Sequence, residues 1–580
     1  MKLSCVVLAC AFSLLAQRSS DAARAQASYQ RGLEAVQQGD LAAARTAFER
    51  AVKLSPQSPE AHNALGLTLS LLGETEPAAR HLGKALELKP DFAQAHGNLG
   101  QLHARQEQWT EAERHYRRAA ELASDNPEFQ RGLGLVLSRN GQLEAAVDHL
   151  QRAVALAPAR ADLRDELGSL HVQRQRLAEA EQEFRAALQQ DPRYAPAHFH
   201  FGLLRWQQAS RAEAIEHMRE ATRLTPQLAE PHLWLAKMLG ETGDASGAVQ
   251  AARAFVRLQP ASAEGHNQLG LLQQRAGDAP SAAGSFREVI RLQPKNPEGY
   301  NNLGLALLQS GYADEAIQQF RAAQRLNPAD VAFRNNIGIA LLQKADLEAA
   351  IREYRAALAL APADASLHYN LGLALKLKDQ MEEAKAEFRR AVELDPSLSD
   401  AHYTLGVTLW QQGLFDEAAT ELRAALAIRP DYAEAHYTLG TVLKQLGDLD
   451  GAALFLNRAL ELQPEFAGAR TTLAAVLRQQ GDIAGATEEL KKAQEISRRA
   501  TSLQAAVFAT NSGRRLLDAG DLEGAIAQFR TALTSFEGHA PAHYYLGLAL
   551  LRKGQATAAR ESFTRATKLD PRLKPPQPKP

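Results

Sequence analysis

The chain has 580 residues, of which 45% are hydrophobic and 23% are charged. Its 66 basic and 67 acidic residues nearly cancel, so the composition gives no electrostatic reason to expect binding to nucleic acid or to an anionic membrane surface. The only two cysteines are Cys5 and Cys10, so the chain beyond them has no thiol for disulfides, thiolate zinc sites or cysteine catalysis.

The amino terminus has the pattern of an export signal. An almost wholly apolar run covers Leu3–Leu15, and Ala23-Arg24-Ala25 offers the small residues that a signal peptidase reads. We therefore expect residues 1–25 to be a signal peptide and the mature protein to be exported, either periplasmic or secreted. The run is too short for a transmembrane helix of about 20 residues, and we expect no membrane span in the mature chain. Two alternatives stay open: an uncleaved signal anchor and lipidation of Cys10.

A period of 34 residues then runs along the chain. Glycine marks it at 32, 66, 100, 134, 168 and 202, and again from 270 to 440. With that glycine as position 8, alanine occupies position 20 in all sixteen repeats and proline occupies position 32 in thirteen. The apolar spacing is helical in both halves, and a turn near position 15, as at Gly311, separates the two helices. Small residues at positions 8 and 20 let the paired helices approach closely.

This pattern resembles the tetratricopeptide repeat family, whose 34-residue unit is a helix–turn–helix with the same glycine, alanine and proline columns. One copy, residues 297–330, reads PEGYNNLGLALLQSGYADEAIQQFRAAQRLNPAD. The resemblance implies an all-α fold: an α-solenoid of about sixteen repeats, wound as a right-handed superhelix with a groove on its inner face. It also implies a protein that is not an enzyme, and we expect no cofactor and no metal site.

The repeats define the domain organisation. Residues 26–500 hold repeats 1–14, and residues 506–573 hold repeats 15 and 16. Residues 501–505 are an insertion that breaks the period, where we expect a lengthened helix pair or a bend because proline and glycine are absent from 486 to 512. Residues 574–580 are rich in proline and are expected to be disordered. Because the last repeat has no polar capping helix, self-association through the C-terminal end is a further hypothesis.

Histidine occupies position 4 in nine repeats, where the family often has tryptophan. Neighbouring histidines on stacked helices would lie about 10 Å apart, which is too far for one zinc ion. We therefore interpret them as half-buried packing residues. The sequence also contains no HExxH motif, phosphate-binding glycine loop or nucleophile elbow.

In this family the groove is lined by positions 5, 6, 9, 12 and 13 of the first helix. Position 6 is asparagine and then threonine in consecutive repeats, which is similar to the asparagine ladder in the repeats of the protein O-linked N-acetylglucosamine transferases, without their catalytic domain. The resemblance implies that amide side chains hold the backbone of an extended peptide. Alternatively, the asparagines bond only within the array. The predicted peptide-binding groove comprises Asn301, Asn302, Leu305, Asn335, Asn336, Ile339, Tyr369, Asn370, Leu373, Tyr403, Thr404, Tyr437 and Thr438.

These features favour an exported, non-catalytic scaffold that binds other proteins or extended peptides in its groove. Two alternatives are a targeting subunit for a separate envelope glycosyltransferase or secretion enzyme, and a purely structural spacer. A weaker candidate site for acidic partners is formed by Arg105, Arg131 and Arg139, for which the competing interpretation is solvated surface arginine.

Overall fold

The computed structural model describes residues 21–576, and no β-strand occurs among them. Contacts divide the chain into unit 1, Met1–Pro294, and unit 2, Lys295–Pro580, a division that the sequence did not predict. Residues 1–20, which include most of the predicted signal peptide, lie outside the described residues, as do residues 577–580. Residues 21–25 of the predicted signal peptide are helical and begin the first helix.

Both units consist of consecutive helices, in which each helix contacts its neighbour along the chain. Unit 1 contains α1 over residues 21–37 and then α2 Leu41–Leu54, α3 Pro59–Leu71, α4 Thr75–Leu88, α5 Ala93–Arg105, α6 Trp109–Leu122, α7 Pro127–Arg139, α8 Leu143–Leu156, α9 Ala161–Gln173, α10 Leu177–Gln190, α11 Ala195–Gln207, α12 Arg211–Leu224, α13 Ala229–Glu241, α14 Ala245–Leu258, α15 Ala263–Arg275 and α16 Ala279–Leu292. Unit 2 contains α17 Pro297–Gln309, α18 Ala313–Leu326, α19 Val331–Gln343, α20 Leu347–Leu358, α21 Ala365–Leu377, α22 Met381–Leu394, α23 Ser399–Gln411, α24 Phe415–Ile428, α25 Ala433–Leu446, α26 Leu449–Leu462, α27 Ala467–Gln480, α28 Ile483–Asp518, α29 Leu522–Ser535, α30 Ala540–Arg552 and α31 Ala556–Leu569. The all-α repeat solenoid predicted from the sequence is confirmed.

The turn at position 15 ends the first helix of a repeat in the left-handed region of backbone space. Gly311 has φ 85° there, a conformation that costs glycine nothing. Ala345 and Asp379 hold the same position with φ 60° and 64°, although a Cβ disfavours that conformation by roughly 1–2 kcal/mol. Next in the chain, Asp346 caps α20 by accepting a hydrogen bond from the backbone N–H of Ala349. The turn is therefore imposed by the repeat even where its residue is unfavourable.

The two helices of a repeat touch where the position-8 glycine meets the position-24 side chain. A Cβ added at Gly304 would lie 2.5 Å from the ring of Phe320, and one at Gly270 would lie 2.6 Å from the ring of Phe286. Both rings are fully buried, as is the position-20 alanine Ala316. Glycine at position 8 therefore makes room for the large side chain that fills the centre of each repeat.

The break in the period lies inside one continuous helix of 36 residues, α28, so repeats 14 and 15 share it. The lengthened helix expected at the insertion is present, and no turn separates the two repeats. Residues 497–501 are all exposed. Phe508 is 77% exposed, whereas the equivalent position-3 residues Ala401 and Ala435 are buried. Repeat 15 is therefore not covered by repeat 14 in the way that earlier repeats of unit 2 are covered.

The chain end lies against the last repeat. The hydroxyl of Thr567 donates to the backbone carbonyl of Leu573 at 2.8 Å. Pro575 and Pro576 line a cavity of about 570 Å³ together with Phe563. The part of the predicted disordered tail that the structure describes, residues 574–576, therefore has no regular secondary structure but contacts the final helix.

The position-4 histidines fasten each repeat to the loop before it. In all nine, Nε2–H donates to the backbone carbonyl six residues earlier, as His402 does to Pro396 at 3.2 Å. These bonds explain the column better than general packing does, because each ring satisfies a loop carbonyl. The other eight pairs are His62–Pro56, His96–Pro90, His198–Pro192, His232–Pro226, His266–Pro260, His368–Pro362, His436–Pro430 and His543–Glu537.

In five of the nine repeats the second ring nitrogen contacts the position-23 side chain of the same repeat, which is histidine in three repeats of unit 1 and glutamate in two repeats of unit 2. In unit 2, Glu421 accepts from His402 at 2.6 Å. In unit 1 the partner is a second histidine: the Nδ1 atoms are 3.0 Å apart in His62–His81, 3.1 Å in His96–His115 and 2.9 Å in His198–His217. Because Nε2 of the first ring already donates, its Nδ1 accepts and the second ring donates, which requires the first ring to be neutral. Burial lowers the pKa of His115 to about 4.

We predict that the position-8 glycine is required for packing. Gly270→Ala should lower the free energy of unfolding by about 1–3 kcal/mol, because its Cβ overpacks Phe286. Gly284→Ala, in the second helix of the same repeat, is the matched control: no atom lies within 4 Å of its Cβ, so helix propensity should raise stability by up to about 1 kcal/mol. Urea unfolding of both variants measures this, and equal effects would contradict the packing argument.

We also predict that acid destabilises unit 1 through its histidine pairs. Burial lowers the pKa of His81, His115 and His217 below the usual value of 6.5. Protonation therefore favours the unfolded chain, and stability present above pH 6.5 should be lost progressively toward pH 4. We expect the melting temperature to fall between pH 7 and pH 5.

The matched variant replaces those three residues by glutamate, the partner that unit 2 uses. His81→Glu, His115→Glu and His217→Glu together should flatten the pH dependence, since a carboxylate at position 23, where Glu421 lies 2.6 Å from Nδ1 of His402, stabilises the position-4 ring when that ring takes up a proton. An unchanged fall in melting temperature in this variant would assign the acid sensitivity to other groups.

Candidate peptide-binding groove

The predicted groove residues lie on the first helices of repeats 9–13, at positions 5, 6 and 9 of α17, α19, α21, α23 and α25. Positions 5 and 6 both adjoin position 9 on the helix surface, because they precede it by four and three residues. We call this set of positions the strip. Helices α17 and α19 contact each other directly, as do α19 and α21 and also α23 and α25, so the strip runs from repeat to repeat within unit 2.

Most of the strip is half-buried. Ile339 is the most exposed of the predicted residues, at 39%, and Thr438 is buried, at 4%. The hydroxyl of Thr438 donates to the backbone carbonyl of Glu434 at 2.8 Å, so Thr438 is not part of the accessible surface and its prediction as a groove residue is corrected. The half-buried members are Asn301, Asn302, Leu305, Asn335, Asn336, Tyr369, Asn370, Leu373, Tyr403, Thr404 and Tyr437.

The asparagines bond to one another across repeats. Nδ2 of Asn336 donates to Oδ1 of Asn301, and Nδ2 of Asn370 donates to Oδ1 of Asn335, both at 2.8 Å. Position 6 of one repeat thus holds position 5 of the repeat before it, which is the internal role left open by the sequence. Each amide keeps a second N–H, and within residues 21–576 the oxygens of Asn336 and Asn370 accept no hydrogen bond.

Tyrosine occupies position 5 of the strip in the next three repeats, as Tyr369, Tyr403 and Tyr437. The hydroxyl of Tyr369 lies 3.5 Å from that of Thr404, again linking position 5 to position 6 of the next repeat. The ring of Tyr403 packs on Tyr432, with ring centres 4.7 Å apart. Burial raises the pKa of Tyr403, so its hydroxyl stays protonated near neutral pH. These rings form a rigid edge with a polar tip, a surface that is favoured at protein interfaces.

The sequence missed residues at positions 12 and 13 that border the strip. Leu377 is 65% exposed, more than any predicted member. Lys376, one residue earlier, is half-buried, and its Nζ donates to the hydroxyl of Thr408 at 3.4 Å. Burial lowers the pKa of Lys376. Positions 12 and 13 line the groove in this family, so the sequence could have identified Lys376 and Leu377 from their place in the repeat.

The strip offers amide, hydroxyl and aliphatic groups, which suit the binding of a ligand rather than catalysis. Among residues 21–576, no cluster of three or more histidine, cysteine, aspartate or glutamate side chains could hold a metal ion. The same part of the chain contains no helix long and apolar enough to cross a membrane.

Family models match the chain along much of its length. Models described as tetratricopeptide repeat match residues 131–195, 199–263, 267–331, 403–465, 437–501 and 510–574. Others of the same description match 91–159 and 59–92, and one described as TPR repeat matches 32–73, 340–379 and 377–413. No curated protein matches the chain.

Several solved structures are similar. MamA has 26% sequence identity, with 28% of this chain and 96% of that chain covered and a TM-score of 0.28. YrrB, a TPR protein with an unusual peptide-binding site, has 24% identity, with 32% and 96% covered and a TM-score of 0.28. Pseudomonas aeruginosa pilF has 22% identity, with 38% and 99% covered and a TM-score of 0.34. The family matches extend over more than half of the sequence: the chain belongs to the tetratricopeptide repeat family and is a scaffold for protein–protein interaction.

Proposed function

We propose that the protein is an exported, non-catalytic scaffold that binds an extended segment of a partner protein along the strip of repeats 9–13. One observation carries the proposal: an aliphatic column with Ile339 exposed is bordered by the amide oxygens of Asn336 and Asn370, which accept nothing from residues 21–576. The aliphatic column can cover apolar side chains of a partner, and the amide oxygens can accept from its backbone N–H groups.

The internal asparagine bonds support this function rather than compete with it. The bond from Asn336 to Asn301 uses one N–H of Asn336 and fixes the orientation of its amide. The remaining oxygen and N–H are therefore already oriented for a ligand, which lowers the entropy cost of ordering the side chain on binding. A row of amides that bonds to the backbone of a peptide selects for an extended conformation and not for a particular sequence. Selectivity would come from the exposed aliphatic side chains and the tyrosine edge.

We predict that strip variants lose partner binding while a matched variant elsewhere does not. Asn336→Ala combined with Asn370→Ala should weaken binding about tenfold or more, because two ordered amides are lost. Asn98→Ala is the control, since Nδ2 of Asn98 makes the same 2.8 Å bond to Asn63 outside the strip. A pull-down with the wild type would identify a partner segment, and titration calorimetry would then compare the variants.

A second pair of changes tests the aliphatic column independently. Ile339→Asp and Leu377→Asp place a charge on exposed positions, where folding tolerates it and an apolar contact does not. If all variants bind the partner segment as the wild type does, the strip is structural, and a spacer or an accessory subunit that uses another surface is favoured.

Export is proposed from the sequence of residues 1–25. We expect these residues, fused to a reporter enzyme that becomes active only outside the cytoplasm, to give activity. Interrupting the apolar run with Leu8→Arg and Leu14→Arg should abolish that activity, because an export signal needs an uninterrupted apolar core. Equal reporter activity of the wild-type and substituted fusions would contradict the proposal of export.

A further inference from the structure

A cavity of about 740 Å³ lies in unit 1 on the first helices of repeats 3–6. Residues of α5, α7, α9 and α11 line it, together with Trp109 and Tyr116 of α6 and Leu150 of α8. It shares no residue with the strip of unit 2. Its volume falls within the range of about 300–1,000 Å³ that is common for ligand sites.

Two cations on one wall of the cavity have no acidic partner. Arg105 and Arg139 occupy position 13 of successive repeats, both are exposed, and neither forms an ion pair within residues 21–576. Arg105 donates to the backbone carbonyl of Ser70 at 3.0 Å, and the guanidinium of Arg139 lies 5.8 Å from the ring centre of Trp109. These contacts hold the two side chains at the cavity and leave most of their N–H groups available for an anion.

Arg131, the third arginine of the candidate acidic-partner site, is already used. Its guanidinium binds Glu166, with Nε 2.8 and 3.0 Å from the two carboxylate oxygens. This ion pair raises the pKa of Arg131 and neutralises its charge. Among the described residues that line the cavity, Arg105 and Arg139 are therefore the cations without an acidic partner, whereas the carboxylates Glu166 and Asp165 are bound by Arg131 and His200.

Other residues that line the cavity are polar, and one of their polar groups has no partner in the described part of the chain. Oγ of Ser169 is buried and has no hydrogen-bond partner within the described residues. Asp165 is 4% exposed and accepts from Nδ1 of His200 at 2.8 Å. A buried hydroxyl without a partner costs free energy, which a bound group could recover. Leu135, an exposed apolar side chain at position 9, also lines the cavity.

We propose that this cavity binds an extended protein segment that carries two carboxylate side chains three residues apart, with large apolar residues between them. First helices of successive repeats are roughly 10 Å apart. A polyproline II chain advances about 3.1 Å per residue and completes a turn every three residues, so side chains three residues apart share a face and span the step from Arg105 to Arg139. Each arginine then forms a charge-assisted bond to a carboxylate, the apolar residues cover Leu135, and Ser169 bonds to the peptide backbone.

Fluorescence anisotropy with three labelled heptapeptides tests the proposal. The first has the sequence Ser-Glu-Leu-Leu-Glu-Leu-Ser, the second replaces both glutamates by glutamine, and the third places the two glutamates side by side. We expect the first to bind the purified protein about tenfold more tightly than the other two. Equal affinities, or no binding of the first peptide, would overturn the proposal and leave the strip of unit 2 untouched.

Variants assign the binding to the cavity. Arg105→Gln with Arg139→Gln should weaken binding of the first peptide about tenfold. Arg50→Gln with Arg152→Gln removes the same charge from exposed positions outside the cavity and should change nothing. Ser169→Ala should weaken binding without lowering the melting temperature, because its hydroxyl makes no bond in the unbound protein. Equal loss in both arginine pairs would mean general charge attraction and would refute the site.

Discussion

The close approach of two helices at the position-8 glycine is the constraint on which the rest of the structure depends. A Cβ at Gly304 would lie 2.5 Å from the ring of Phe320, so the pair of helices and the ring are compatible only without a side chain at that point. Packing at this density tolerates little change of volume. Because the same contact recurs along the array, the first helix of each repeat presents its remaining positions in nearly the same way. Those positions are then available for binding.

The sequence predicted what depends on local spacing and missed what depends on neighbouring repeats. Helix pairs, the turn at Gly311 and the lengthened helix α28 all follow from periodicity and from the placement of glycine and proline. The hydrogen bond from Asn336 to Asn301 does not, since it joins residues 35 apart on different helices. The same limit applies to Thr438, whose column suggested exposure but whose hydroxyl turned inward to its own backbone.

The histidine column shows how an interpretation drawn from spacing can be incomplete. Spacing alone excluded a shared zinc ion, yet it could not reveal the loop carbonyl that every one of these rings binds. That carbonyl belongs to the position-32 residue of the preceding repeat, so the bond connects two columns that look independent in the sequence. Proline at that position ends the helix, and its carbonyl then needs a donor. Histidine at position 4 supplies the donor, which links the two preferences physically.

The two candidate binding faces differ in chemistry although the backbone that carries them is the same. In repeats 9–13 the variable positions are amides, tyrosines and aliphatics, which favour backbone contacts. In repeats 3–6, the side chains facing the cavity include Arg105 and Arg139 without acidic partners, while Arg131 nearby is paired. An array that pairs Arg131 with Glu166 has acidic residues to spare for its arginines. Arg105 and Arg139 differ from other surface arginines that the described residues leave unpaired, such as Arg50 and Arg152, because both line the same cavity.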